Sequence, residues 1–328
     1  MEGNLIAKKI FGIIPITLLI LTGCSESTVK SSENTEITKS LTQEASDYAA
    51  VIHDFADREI SFTDAPSNIA ALSNGDMDII HALGGNLVGR PTTNSPLYID
   101  ELQTVEEIGT VHEIDLEKIT YVKPDVVLGN DPMSTKDIPI IEGIGAEMVL
   151  TSANSIDEIK RQIELYGQLL EKDDLANEII SDIDDKITSF SGDSSSDSPR
   201  VLVVYGAPGT YMAALPNSLS GDILEHAGGI NIASDFPSLE NYPQYAQLNG
   251  ERIVEANPDL ILLMTHGNSE SVREGFIREM KENGAWNNLD AVIKNHVEVL
   301  PSDLFGANPG TRIIEALDLL DDLLEPVR

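Results

Sequence analysis

Two histidines stand where this sequence could offer a nitrogen ligand to a metal centre. His266 follows Leu260 to Thr265, an almost unbroken apolar run that reads as a buried parallel strand, and Gly267 behind it lets another group approach the backbone. In open α/β sheets the carboxyl ends of strands face the ligand crevice, so an imidazole at that position is presented to whatever the crevice holds. His112 has a comparable place earlier in the chain, on the loop that enters another strand. One such histidine is a weak signal; one from each half of the chain, facing a shared crevice, is a sharper one. The other four have structural explanations. His81 and His226 fall near the C-terminal ends of predicted helices, where the dipole suits them, and His53 and His296 lie on or beside predicted strands.

The elements that would carry these two histidines share a phrase. Glu251-x-Ile253, then Pro258-Asp259 and the run Leu260–Met264, repeats Glu117-x-Ile119, then Pro124-Asp125 and Val126–Leu128, with the same spacing from Glu to Pro. Two separated copies predict two lobes of similar build. Glu117 and Glu251 read equally well as helix N-terminal acids or as a matched pair of docking groups. Nucleotide and catalytic signatures are missing: Gly206-x-x-Gly209 lacks the P-loop lysine, and neither HExxH nor G-x-S-x-G occurs. A metal-dependent enzyme built on His112, His266 and a carboxylate such as Glu113 or Asp115 is the alternative from another class.

Export is written at the start of the chain. Lys8 and Lys9 precede an apolar run, Ile10 to Leu21, and Leu21-Thr22-Gly23-Cys24 resembles a bacterial lipobox in which Cys24 is acylated and becomes the mature N-terminus. Cys24 is the only cysteine, so no disulfide framework exists and stability must come from packed cores. Residues 1–23 are the expected lipoprotein signal peptide, and 24–48, rich in Ser, Thr, Glu and Lys, the expected tether. With 55 acidic against 21 basic residues the chain carries a formal charge of −34, which argues against nucleic acid as a partner. Membrane attachment would then rest on the Cys24 lipid and not on surface charge.

Strand and helix patterns alternate through both halves, which predicts α/β lobes over 49–154 and 198–328. Between them, 155–190 is helical, opening on the capping box Ser155-x-x-Glu158. In the first lobe a short strand ending at Arg90 leads to Pro91-Thr92-Thr93, a candidate cleft wall. In the second, Val201–Tyr205 leads to Gly206–Met212, which includes Tyr211.

The lipobox, the twofold phrase, the helical crossing and the closing Trp286-x-x-Leu289-x-Ala291-Val292-x-x-x-His296-Val297 resemble the substrate-binding lipoproteins of ABC importers for iron complexes, haem and cobalamin. Leu87 to Thr93, Gly206 to Tyr211, Leu224 to Asn231, Thr265-His266-Gly267 and Leu304-Phe305-Gly306 look most like the haem-binding members of Gram-positive iron-regulated surface systems. The resemblance implies two Rossmann-like lobes joined by a rigid backbone helix, the class III arrangement. It implies haem as the transported ligand, with Arg90, Thr92, Thr93 and Tyr211 as candidate contacts. His266 matches the family's axial histidine. Gly109-Thr110-Val111-His112 stands where those relatives carry a Gly-Asn-Pro-Met-type loop, so the first-lobe ligand is His112, Met133 or water. Glu117 and Glu251 match the acids that dock onto arginines of the permease. The expected partners are a permease with its ATPase, and a surface haem donor upstream. A monomer anchored on the outer face of the cell membrane is expected, and an iron-siderophore binder of the same fold is the alternative.

Overall fold

The computed structural model describes residues 50–93, 97–190, 198–207, 210–265, 269–282, 284 and 286–328. The expected signal peptide, Cys24, the expected tether and His266 lie outside the described residues.

The first lobe opens with an antiparallel pair, β1 (Ala50–His53) and β2 (Glu59–Phe62). Its main sheet is parallel, built from β3 (Ile69–Ala71), β4 (Leu87–Arg90), β5 (Glu106–Glu107), β6 (Val126–Asn130) and β7 (Glu147–Thr151) in the order β5-β4-β3-β6-β7. The order reverses between β3 and β6, and that switch point opens a crevice at the carboxyl ends of the strands.

The second lobe comprises β8 (Arg200–Ala207), β9 (Thr210–Ala214), β10 (Ile230–Asn231), β11 (Ser238–Leu239), β12 (Tyr242–Gln247), β13 (Leu260–Thr265) and β14 (Val297–Leu300). Their order is β11-β12-β9-β8-β13-β14, with β10 beside β8. Strands β8, β13 and β14 are parallel, whereas β9, β12 and β11 are antiparallel. Alternating strands and helices favour parallel pairing, and three of the seven strands depart from it. The cause is local: Ala207 pairs Thr210 across a two-residue connection, too short for a parallel crossover.

Why the phrase occurs twice is visible in its hydrogen bonds. Helix Leu116–Val122 is capped by Asp115, which accepts the Lys118 N–H, and helix Gly250–Ala256 by Asn249, which accepts the Arg252 N–H. Both end on a left-handed residue, Lys123 (φ 49°) and Asn257 (φ 44°), which turns the chain into the prolines. The aspartates that follow the prolines then clamp the entrance of a neighbouring strand. Asp125 accepts the Asn68 N–H at 2.8 Å and Asp259 the Arg200 N–H at 2.9 Å.

The crossing is a pair of helices, Ile156–Leu169 and Asp173–Phe190, hinged at Glu171 (φ 56°). Gly167 brings them together, since a Cβ there would lie 2.5 Å from the Ala176 Cβ. The first helix packs on β1 and on helix Asn74–Ala82, and the second on the closing helix Ile313–Leu324. One apolar core runs through this crossing from lobe to lobe: Val126 and Leu128, Ile159 and Tyr166, Val201 and Val203, and Leu260 and Leu262 all belong to it. The alternate residues Leu202, Val204, Ile261 and Leu263 fill a second core on the far face of the β8–β13 sheet, and Val127 a third on the far face of the first lobe. Burial on both faces is the reason these strands are unbroken apolar runs.

Candidate functional site

Both sheets aim their carboxyl ends at one cavity of about 370 Å³. Asn130 and Thr151, at the ends of β6 and β7, line it from the first lobe, and Met264, near the end of β13, from the second. Gln162 of the crossing helix reaches it from below.

His112 reaches the cavity on a tight turn. Gly109 and Ile114 form an antiparallel bridge, the Thr110 N–H donates to the Glu113 carbonyl at 2.8 Å, and the His112 N–H donates to Thr110 Oγ1 at 3.3 Å. Gly109 has φ +98°, and a Cβ there would sit 2.4 Å from the Glu113 carbonyl oxygen, so no other residue closes this turn without strain. The imidazole is exposed at the cavity wall. Met133, 41 % exposed, lines the same cavity from the loop after β6, where Ser134 ties back to Asn130 through its N–H and Oγ. Both first-lobe candidates for an iron ligand therefore reach one space. On the other side the described chain stops at Thr265, which is fully buried, one residue before His266.

The remaining candidates are dispersed. Arg90 is buried in an ion pair with Glu107 at 2.9 Å and donates to the Pro91 carbonyl, outside the cavity lining. Thr92 is exposed and holds the His112 turn, its N–H donating to the Gly109 carbonyl at 2.8 Å. Thr93 lines a separate cavity of about 320 Å³ with Asn74, Tyr98 and Asp303. Tyr211 packs its ring on Phe276 at 5.0 Å, which in turn meets Trp286 edge-on at 6.1 Å. Glu117 and Glu251 are exposed in the first turns of their helices, each without an ion pair among the described residues. Asp115 is spent on its helix cap, and no group of three or more His, Cys, Asp or Glu among the described residues is placed to hold a metal ion.

Sequence reasoning missed the cavity floor. Asp76, 2 % exposed, accepts hydrogen bonds from Gln162 Nε2 at 2.6 Å, Tyr166 OH at 2.6 Å and Thr151 Oγ1 at 3.4 Å on one oxygen, and from Ser73 Oγ at 2.6 Å on the other. Asn308 of the second lobe joins the network by donating to Gln162 Oε1 at 2.7 Å. Burial pushes the Asp76 carboxyl up from its ordinary range, while the four donors pull it down. Asp78, two residues on in the same helix and so on its other side, accepts Tyr98 OH at 2.6 Å and Thr311 Oγ1 at 2.8 Å, and burial raises its carboxyl too. The only trace of this in the sequence is Ser73-x-x-Asp76, a helix-start pattern that gives no hint of a buried network.

Two α/β lobes, a helical crossing and a cavity fed by the carboxyl ends of both sheets define a class III substrate-binding protein, which binds and releases a ligand and is not an enzyme. The chain belongs to the periplasmic binding protein family, which it matches over residues 69–304. It is 27 % identical over 318 residues to the high-affinity haem uptake system protein IsdE of Staphylococcus aureus strain MRSA252, covering 96 % of this chain and 97 % of that one. The crystal structure of S. aureus IsdE complexed with haem is 26 % identical, with a TM-score of 0.68 over 78 % of this chain and all but 2 % of that chain. An ABC transporter substrate-binding protein from Listeria monocytogenes EGD-e is 29 % identical, with a TM-score of 0.69 over 80 % of this chain and 100 % of that one.

Proposed function

We propose that this protein captures haem in the interlobe cavity and delivers it to the permease and ATPase of an ABC importer for iron acquisition, held to the outer face of the membrane by the acylated Cys24. Among the described residues no helix is long and apolar enough to cross a membrane, so in this reading the lipid is the anchor. His266 and His112 are the axial ligands of the haem iron, and Glu117 and Glu251 dock one lobe each onto the permease. The observation that carries the reading is convergence. His112 and Met133 from one lobe, and Met264 at the end of the strand that leads to His266 from the other, line a single cavity. A near-full-length likeness to a haem uptake protein supports it.

The second reading, an iron-siderophore binder, draws on the polar side chains of the wall, among them Asn130, Ser152, Asn154 and Gln244. It ranks lower for anionic chelates because none of the described lining residues is Lys or Arg, whereas haem would set an apolar ring and an iron within reach of His112 or Met133 against the same lack. Titration with ferric haem, beside a neutral ferric hydroxamate and an anionic ferric catecholate, tests both. A stoichiometric shift of the Soret band, lost in His266→Ala, is the expected result; its absence, with saturable binding of a chelate, transfers the assignment to the second reading.

A further inference from the structure

Two helices begin at the cavity wall, one in each lobe, and their first turns are finished differently. Helix Asn74–Ala82 is closed by its own side chains: Ser73 Oγ accepts the Asp76 N–H at 3.1 Å and donates to Asp76 Oδ2 at 2.6 Å. Its N-terminal end is already filled by a carboxyl group of the chain. Helix Leu219–His226 starts at Ser218, whose Oγ accepts the Gly221 N–H at 3.1 Å and donates to the Leu215 carbonyl at 2.6 Å. The Asp222 N–H donates to the Ser218 carbonyl at 2.9 Å, so the Leu219 and Ser220 N–H groups lie ahead of the helical ladder. Beside them Ser220 lines the cavity at 2 % exposure, and its Oγ has no hydrogen-bond partner among the described residues.

A buried hydroxyl without a partner costs the free protein stability, and the cavity that Ser220 lines is a side from which a ligand could supply the acceptor. A helix N-terminus favours a negatively charged acceptor there. The acid of the same first turn, Asp222, is engaged elsewhere, its Oδ2 accepting the Ile156 N–H at 2.7 Å and its Oδ1 facing His226 at 3.9 Å. We propose that Ser220 and the N-terminus of helix Leu219–His226 form a carboxylate subsite, in which one carboxylate of the bound ligand accepts from Ser220 Oγ and from the Leu219 and Ser220 N–H groups. The identification of that carboxylate as a haem propionate rests on the haem reading; the subsite does not. With no described Lys or Arg on the wall, neutral donors at this helix end are what the cavity offers an anionic edge, while the other helix end is already occupied by the Asp76 carboxyl. The pair would fix which way round the ligand enters.

Two measurements test the subsite. In the first, ferric haem and its dimethyl ester are titrated into wild type and Ser220→Ala. Wild type should prefer the free acid by about tenfold, and the variant should lose most of that preference. Its melting temperature should be no lower, because the change removes an unpaired buried group. A variant that keeps the full preference overturns the proposal. In the second, sodium propionate is titrated into ligand-free wild type while backbone amides are followed by NMR. Saturable shifts at Leu219 and Ser220 uphold the subsite even if wild type binds neither porphyrin, in which case only the haem reading fails. Amides that do not move overturn it, whether or not Ser220→Ala folds.

Discussion

At the scale of single residues, in the haem reading, the ligand from the first lobe would set the chemistry of the iron. Methionine ligation raises the potential of haem iron relative to imidazole, so His112 paired with His266 should hold a six-coordinate, low-spin haem that favours the ferric state. His112→Met is then expected to keep haem and raise the midpoint potential, read by spectroelectrochemistry; a wild-type spectrum that is five-coordinate or Met-ligated, and unchanged in His112→Ala, would show that His112 is not the ligand. The floor makes a separate prediction. Asp76 has a carboxyl raised above the ordinary 3.8 by burial, so the folded state binds its proton more readily than the unfolded chain. Its contribution to stability is full below about pH 3.8 and is lost as the pH rises through the raised value. Asp76→Asn can keep the Gln162 and Tyr166 bonds on its carbonyl oxygen and donate to Ser73. Urea unfolding from pH 4 to 8 should therefore show wild type losing more stability with rising pH than the Asn variant; parallel curves would mean that the donors cancel the burial. Neither Asp76 nor Ser220 could be found in the sequence, because what singles them out is burial and the presence or lack of partners, contributed by residues up to 90 positions away.

At the scale of elements, much was legible. Leu260–Thr265 and Val201–Val204 announce themselves because burial on both faces leaves no polar alternation, and the repeated Pro-Asp phrase marks the same strand entrance in each lobe. The antiparallel part of the second sheet was hidden, since Tyr242–Gln247 has mostly polar or exposed positions and pairs with β9, more than thirty residues earlier. Their place near strand ends puts Arg90 and Tyr211 at the cleft, and in the structure one turns into an ion pair with Glu107 and the other onto Phe276. The turn that presents His112 depends on one glycine. Gly109→Ala combines φ +98° with a collision on the Glu113 carbonyl and should cost about 2 kcal/mol or more. Because this turn lies at the cavity wall and outside the shared core, the melt should remain cooperative while haem affinity falls, as a parallel thermal scan and Soret titration would register; unaltered affinity would detach His112 from the iron.

At the scale of the molecule, one apolar core passes through both lobes and the crossing helices, so the lobes share a foundation and are not two bodies on a flexible string. Opening them widely would expose residues such as Ile159, Tyr166 and Leu317, all fully buried. In the proposed docking on a permease, the two copies of the repeated phrase would mark the surface that meets it. The repeat places Glu117 and Glu251 in equivalent exposed first turns, without ion pairs among the described residues, although an acid in a helix's first turn is stabilising with or without a partner. Charge reversal separates the two roles. Glu117→Lys and Glu251→Lys each place a cation near a helix N-terminus at a cost of about 0.5–1 kcal/mol, small for a chain of this size. If the glutamates only stabilise their helices, the double variant should melt slightly lower and support haem uptake normally. If they meet basic groups of a permease, like charges would face each other at both lobes, and uptake in a strain lacking the wild-type protein should collapse while the purified variant binds haem with unchanged affinity. Uptake at the wild-type rate, with the small stability loss present, would leave them as helix-end acids alone.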